Sequence, residues 1–453
     1  MTYTKDYKSF KKIYDENVFL KYKPEFHLMV FWKRPVDGED QLLEQISAHF
    51  SIKEVFHLHW TPEKIVENFQ RFYAMIEGHA YQKFTQSGVL PFLLVVVQDL
   101  KPSYEYRVSG GSGYKFVNTK TFDLKQKMRK QKGISLHATN DHREFRRDLM
   151  YLLGIKADVY AKKNLGNWDG NIQQIHQDIV GADGWKNLPQ VFEVLNEAVD
   201  YVVLRNFEEL PDEHILGIHA DIDFLVQDVD AYHRAASILN KERAAHTQVG
   251  DRKIYFDFRS VNDFYYDPKW CRRLLETKVP VRGFYAVNPH DYFFSLLYHG
   301  HVHKPKISKD YGERLLPIAK EIGLVNLTSD QLINPASAAI ILEQFLKGNG
   351  YYLTRPNGCP GFNDNFASRL SSTPFLYQSE SNFYTEFLIS SNLADGNIAI
   401  DQIVKSRKWL LKKLIKRLLA MPFDLLRNRL TQKQKKQLRP LVRKLSNIYA
   451  SRR

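Results

Sequence analysis

Apolar segments of strand length alternate with amphipathic segments of helix length through the first third of the chain. The strand-like segments are FHLMVFW, IKEVFHLHW and PFLLVVVQDL, and the helix-like segments are QLLEQISAHF, PEKIVENFQRFYAMI and HREFRRDLMYLL. A period of two is typical of half-buried strands, and a period near 3.6 is typical of amphipathic helices. The alternation therefore predicts an α/β (α+β) domain over residues 26–160, preceded by a polar lead-in over residues 1–25.

The rest of the chain predicts further domains, because 453 residues exceed the ~250–300 residues at which a single hydrophobic core stops growing. The segment KKNLGNWDGNIQQ predicts a linker, and RVSGGSGYKF predicts an exposed turn. Strand patterns in YVVLRNF, ADIDFLV and KIYFDFRSV place a second α/β domain at residues 185–330. Residues 331–400 predict a mixed α/β extension, with a helix in ASAAIILEQFLKG and a hairpin around YTEFLIS and IAIDQIV.

Positive charge is concentrated at the C-terminus. The chain holds 65 basic and 51 acidic residues, of which residues 401–453 contain 17 and two, so 48 and 49 are left for the body. In WLLKKLIKRLLAM, apolar residues form a helical stripe opposite the lysines. Residues 401–453 therefore predict a basic amphipathic tail that binds an anionic membrane surface rather than nucleic acid. Packing of the tail on the protein's own body is the alternative.

The sequence predicts a cytoplasmic protein that is peripheral on the cytoplasmic membrane. Cys271 and Cys359 lie in different predicted segments, so no disulfide framework is expected. The N-terminus MTYTKDYKSFKKIYDEN lacks the apolar core of a signal peptide. The most apolar run, VLPFLLVVV, is shorter than the ~20 residues that span a bilayer.

Acidic residues occupy one face of a predicted strand. In HADIDFLV, alternation places Asp221 and Asp223 together while Ile222 and Phe224 face a core. The strand KIYFDFRSV supplies a further acid, Asp257. Crowded carboxylates repel one another unless a cation lies between them, so the three acids predict a site for Mg²⁺ or Mn²⁺. An Asp-x-Asp that only marks a strand end or caps a turn is the alternative.

The segment YVVLRNFEELPDEHILGIHADIDFLV resembles the nucleotidyltransferase superfamily, particularly its small bacterial and fukutin-like members, over about residues 190–325. The resemblance implies a nucleotidyltransferase fold in which Asp221, Asp223 and Asp257 are the catalytic, metal-binding acids. It also implies a phosphotransferase for surface polysaccharide assembly. Such an enzyme moves a nucleotidyl or phospho-alditol group from a nucleotide-activated donor onto a glycan or lipid-linked acceptor.

One departure from the family concerns phosphate binding. The family has a Gly-Ser or Gly-Gly pair near the position at which this chain has Arg205 and Asn206. We therefore expect phosphate to be bound by charge. The expected phosphate-binding residues are Arg205, Arg252, Lys253 and Lys304. Two other functions fit the sequence: an Asp-x-Asp glycosyltransferase that uses a nucleotide sugar, and a non-catalytic, membrane-associated scaffold.

Three histidines in YHGHVHKPK offer a further site. His299 and His303 share a helix face, whereas His301 points elsewhere. The pattern therefore favours a helix end that faces phosphate or solvent over a three-histidine metal site.

The segment LHATNDHREFRRDL, with the element order before it, resembles nucleoside diphosphate kinases over about residues 26–153. The resemblance implies a ferredoxin-like, nucleoside diphosphate kinase-like domain in which His137 carries phosphate. Ile134 replaces an asparagine of the family pattern. A scaffold that kept the fold without kinase activity is the alternative.

Overall fold

The structure, a computed structural model, describes residues 23–376 apart from 35–37, 89, 109–113, 164–165, 212–220, 239–244, 262 and 357–360. The described residues belong to one unit, Val18–Thr385. They form several sheets with helices around them, so the mixed α and β class predicted from the sequence is confirmed.

The first sheet contains β1 (Glu25–Lys33), β2 (Ser51–His59), β3 (Phe92–Asp99), β6 (Ser135–Ala138) and β7 (Ile172–His176). Its strand order is β6-β1-β3-β2-β7. The last strand runs parallel to β2, and all other neighbours are antiparallel. A separate hairpin, β4 (Tyr104–Val108) and β5 (Tyr114–Asn118), flanks residues 109–113 of the predicted turn, which lie outside the described residues.

Helices cover both faces of the first sheet. They are α1 (Glu39–Ser47), α2 (Ile65–Tyr73), α3 (Glu77–Gln86), α4 (Thr119–Arg129), α5 (His142–Leu153) and α6 (Ala157–Lys162), with a 3-10 turn at Pro62–Lys64 before α2. Helices α1 and α4 pack on the face that carries Met29 and Phe31. Helices α2 and α5 pack on the face of Val30 and Trp32. Strand β1 is therefore buried on both sides, which explains its continuous apolar run.

The segment predicted as a linker is partly a strand. Residues 172–176 form β7 at the edge of the first sheet, in register with residues 55–59 of β2. Three of its five residues are polar and none is fully buried. The linker prediction is wrong here because an edge strand is held by main-chain hydrogen bonds and needs no apolar alternation.

Helix α7 (Leu188–Ala198) leads into the second sheet. Its strands are β8 (Tyr201–Arg205), β9 (Asp221–Val226), β10 (Ala245–Val249), β11 (Arg252–Ser260), β12 (Val279–Val281) and β13 (Phe284–Ala286), in the order β10-β11-β9-β8-β13-β12. Strand β9 lies antiparallel to β8 and parallel to β11. The three strands predicted in this part of the chain, which became β8, β9 and β11, are confirmed.

The two faces of the second sheet enter different cores. Ile222 and Phe224 join α7 and α8 (Val229–Ala235) in a core that continues to the first sheet. Leu225 faces a second core with α9 (Pro268–Glu276) and α10 (Pro289–Val302). Asp221 and Asp223 alternate with Ile222 and Phe224, so they lie on the same side as Leu225 and α10.

The remaining described elements pack beside α9 and α10 in the second core. They are α11 (Asp310–Glu321), α12 (Ser329–Ile333), α13 (Pro335–Asn349), α14 (Asp364–Ala367), β14 (Leu353–Thr354) and β15 (Phe375–Leu376). Helix α13 confirms the helix predicted in this region. The predicted hairpin at 384–404 and the tail at 401–453 lie outside the described residues. In the part of the chain that the structure describes, no helix has the length and apolar character to cross a membrane.

Candidate functional site

The structure brings the three predicted acids together on the second sheet. Asp221 begins β9, Asp223 follows two residues later, and Asp257 on β11 is the register partner of Asp223. Each offers a carboxylate oxygen, and these oxygens all lie within 4.8 Å of one another. Among the described residues, no other group of three or more His, Cys, Asp or Glu side chains is placed to hold a metal ion. The donor set is all oxygen, which suits a hard divalent cation.

The three carboxylates differ in their exposure to solvent. Asp221 is exposed, the Asp257 side chain is 33% exposed, and the Asp223 side chain is 6% exposed. Burial raises the pKa of Asp223 to about 6, Arg205 opposes this rise, and the other two acids add to it. Any cation must therefore compete with a proton at Asp223 in mildly acidic solution.

Two arginines neutralise part of the acidic charge. Arg205, at the end of β8, donates from Nη2 to Asp223 Oδ1, and Arg259 donates from Nη2 to Asp257 Oδ2 over 3.0 Å. Asp221 has no ion pair among the described residues. Arg205 was predicted to bind phosphate, but here it is buried and committed to Asp223. A phosphate could bind it only in competition with this carboxylate.

A buried tyrosine lies behind the two arginines. Arg205 Nη1 donates to the Tyr265 hydroxyl over 3.2 Å, and that hydroxyl shares a hydrogen bond with Nδ1 of His299. The Arg259 guanidinium lies 4.4 Å from the Tyr265 ring centroid. Burial lowers the pKa of His299, and the nearby Arg205 charge lowers it further. The neutral form of His299 is therefore favoured.

The histidines of α10 correct a sequence prediction. His299, His301 and His303 are all buried, so they do not form a helix end that faces phosphate or solvent. His301 shares a hydrogen bond with the Leu332 carbonyl, and the His303 ring lies against the Tyr265 ring, with centroids 3.8 Å apart and planes tilted by 34°. The prediction failed because the helices after residue 310 cover this end of α10, which sequence periodicity could not show.

Near the position where the nucleotidyltransferase pattern has a glycine pair, this chain has Arg205 and Asn206. Asn206 has a φ of 58°, a left-handed conformation that asparagine tolerates better than most residues. Its side chain lies 3.4 Å from Asp223 Oδ2 and accepts from Arg314 of α11 over 2.7 Å. The turn after β8 is therefore held by side-chain contacts on both sides.

Of the other predicted phosphate-binding residues, Arg252 and Lys253 lie at the start of the strand that carries Asp257. Lys253 shares a strand face with Asp257 but lies four residues away, about 13 Å along an extended chain. Arg252 has the opposite parity and is exposed. Lys304 follows α10 and is exposed, although its charge helps to lower the pKa of His299.

His137, the predicted phosphate carrier, lies on β6 and is buried. Its Nε2 is 2.7 Å from Asp148 Oδ2, and its ring packs edge-on against Phe72 and Tyr73. Lys125 donates to Asn140 Oδ1 over 2.6 Å, and burial lowers the pKa of Lys125 to about 8. Phosphorylation at Nε2 would require the hydrogen bond to Asp148 to break.

Comparison with protein families, with curated proteins and with solved structures gives no match to this chain. The two family resemblances therefore stay predictions from sequence motifs.

Proposed function

We propose that this protein is a metal-dependent transferase of the nucleotidyltransferase fold. It would move a nucleotidyl or phospho-alditol group onto a glycan or lipid-linked acceptor. The observation that carries the proposal is the convergence of Asp221, Asp223 and Asp257 on adjacent parallel strands. The substrate class comes from the sequence resemblance alone.

The arrangement of charge supports a divalent cation. In the described part of the chain, Arg205 and Arg259 pair with Asp223 and Asp257, and neither pairs with Asp221. The negative charge of Asp221 is therefore not neutralised, and a cation bound beside it would lower the electrostatic energy of the cluster. Mg²⁺ or Mn²⁺ held there by the three acids would neutralise charge on a phosphoryl group and its leaving group. The arginines hold Asp223 and Asp257 in place on the sheet.

A non-catalytic scaffold is the rival function, and the two arginine pairs favour it. Arg205 and Arg259 neutralise two of the three acids without any ion. In this reading the cluster is a structural network, and Asp221 is an ordinary exposed acid.

Binding of Mn²⁺ to the full chain, followed by electron paramagnetic resonance, separates the two functions. Asp221→Asn removes the exposed ligand without breaking an ion pair, so we expect intact folding and affinity at least about tenfold weaker. Asp230→Asn removes an exposed acid on α8 and serves as the matched control. A wild-type protein that binds no Mn²⁺ would favour the scaffold.

Transfer activity is tested with nucleotide-activated alditol, nucleoside triphosphate and nucleotide-sugar donors in the presence of Mg²⁺. Full turnover by the Asp221→Ala, Asp223→Ala double variant would exclude these acids from catalysis. Transfer from a nucleotide sugar that is unchanged in Asp257→Ala would favour the glycosyltransferase alternative, which does not need the third acid.

A phosphohistidine at His137 is a second candidate function. The antiparallel strand order β6-β1-β3-β2 supports this candidate, because the kinase resemblance implies a ferredoxin-like sheet. Incubation with γ-labelled ATP should give an acid-labile label in the wild type and none in His137→Asn. An equal label in both proteins would assign the phosphate elsewhere.

We also propose that the basic tail binds anionic membranes, on the basis of its sequence pattern. The full chain should sediment with phosphatidylserine vesicles, and a chain ending at residue 400 should not. Equal sedimentation of both chains would place membrane binding outside the tail.

A further inference from the structure

Two histidines face each other across the edge of the first sheet. His59 on β2 and His176 on β7 are register partners in parallel strands. Their rings stack with centroids 4.2 Å apart and an interplanar angle of 11°. His176 is exposed and His59 is partly exposed. The pair is therefore open to ions from solvent, unlike the buried histidines of α10.

A chain of hydrogen bonds determines which nitrogen of His59 is available. His57 Nε2 lies 3.1 Å from Glu39 Oε2, so it carries the proton, and His57 Nδ1 accepts from Gln174 Nε2 over 3.1 Å. The Gln174 amide oxygen then accepts from His59 Nε2 over 2.9 Å. The remaining nitrogen of His59, Nδ1, keeps its lone pair, because a neutral imidazole has one donor and one acceptor.

This pattern is typical of a metal-binding histidine. Such a residue usually donates its second ring N–H to a carbonyl or carboxylate, which fixes the ring and its tautomer. The Gln174 amide oxygen has this role for His59. Zn–N bonds of about 2.0–2.1 Å place two imidazole nitrogens about 3.4 Å apart in a tetrahedral site. The two ring planes are nearly parallel, so the exposed His176 ring must turn about its side-chain bonds before its nitrogen and His59 Nδ1 can reach one ion.

The surroundings leave room for further ligands. The pair borders a cleft of ≈ 770 Å³ formed with residues 177–186. Water or a small ligand in this cleft could occupy the coordination positions that two histidines leave open. His57 lies on the same strand face, but its Nε2 is held by Glu39.

We propose that His59 and His176 form a binding site for a transition-metal ion of the Zn²⁺ class, with Gln174 as a positioning residue. Imidazole nitrogen suits Zn²⁺, Ni²⁺ and Cu²⁺, whereas the acids of the second sheet suit Mg²⁺ and Mn²⁺. The site is separate from the proposed transferase function, and neither depends on the other.

Calorimetric titration of Zn²⁺ into the untagged full chain tests the site. His59→Asn and His176→Asn should each weaken binding at least about tenfold, and Gln174→Ala should weaken it about tenfold, as expected for an outer-shell partner. His79→Asn, an exposed histidine on α3, is the matched control. The side chains are at the surface, so circular dichroism should show unchanged folding in each variant.

The Asp221→Asn variant tests whether the histidine site and the acidic site bind metal independently. It should weaken Mn²⁺ binding and leave the histidine-dependent Zn²⁺ binding unchanged. Zn²⁺ affinity that is the same in wild type, His59→Asn and His176→Asn would overturn the inference without affecting the proposed function. A wild-type protein that binds Zn²⁺ through the two histidines but binds no Mn²⁺ would overturn the proposed function and leave the inference intact.

Discussion

The Arg205–Asp223 pair determines how the buried end of the site is stabilised. Both side chains are less than a tenth exposed, so removing either partner leaves an uncompensated charge or forces a proton to move. Arg205→Met and Asp223→Asn should each lower the free energy of unfolding by about 3–5 kcal/mol. The double variant should lose much less than the sum of the two. Additive losses in urea unfolding would show that the two groups act independently.

A pH dependence is expected at Glu144 in the first half of the chain. Burial alone would raise the pKa of Glu144, but Arg147, His137, Lys125 and the Asn140 amide hold it at about 2. Because the folded pKa is lowered, its stabilising contribution is present above pH ~4.5 and is lost as the pH falls toward 2.

Glu144→Gln should therefore be less stable than wild type by on the order of 3 kcal/mol at pH 7, with the difference shrinking below pH ~4.5. Glu193→Gln, at an exposed ion pair, should show little difference at any pH. A Glu144→Gln difference that stays constant from pH 7 to pH 3 contradicts the assignment of the shift to this carboxyl group.

The acids of the candidate site could be placed from sequence, but their arginine partners could not. Alternation along one strand puts Asp221 beside Asp223, and local spacing is enough for that. The contact between Arg205 and Asp223 depends on the pairing of β8 with β9, across a shift in their register. The contact between Arg259 and Asp257 could have been predicted from the sequence, because Arg259 follows Asp257 by two residues and shares its strand face.

Among the elements, those with strong periodicity were predicted with near-correct bounds. Helix α5 spans the twelve residues of the predicted segment HREFRRDLMYLL. Strand β7 was missed because its residues, IQQIH, alternate poorly and it pairs through one edge only. Tertiary contact, rather than local propensity, makes it a strand.

Helix α5 also allows a prediction at its N-terminus. The Asp141 side chain accepts from the Glu144 main-chain N–H over 2.7 Å, as an N-cap. Asp141→Ala should destabilise the chain by about 1 kcal/mol, and Asp141→Asn by less, because the amide oxygen still accepts. Equal losses in thermal unfolding would mean that the charge, and not the cap, is important.

At the scale of the whole molecule, the two sheets share one hydrophobic core, although the sequence predicts separate domains over 26–160 and 185–330. A buried arginine of α2 joins them. Arg71 donates to the Val180 carbonyl over 2.7 Å and to the Arg234 carbonyl at the end of α8 over 3.1 Å. The Arg234 carbonyl also accepts from the Ser237 main-chain N–H over 3.3 Å, so Arg71 adds a side-chain donor there.

We therefore expect residues 26–330 to unfold in one cooperative step. Arg71→Met removes the buried side-chain donor to the Val180 carbonyl and should lower the unfolding free energy by about 1.5–3 kcal/mol. The unfolding midpoints followed by tryptophan fluorescence and by far-ultraviolet circular dichroism should both shift to the same lower value, because tryptophans lie beside both sheets. Arg355→Met, at an exposed ion pair, is the control. If the wild type instead unfolds in two separate transitions and Arg71→Met shifts only one of them, the predicted domains unfold independently. Coupling through the shared core would then be too weak to make their unfolding one cooperative step.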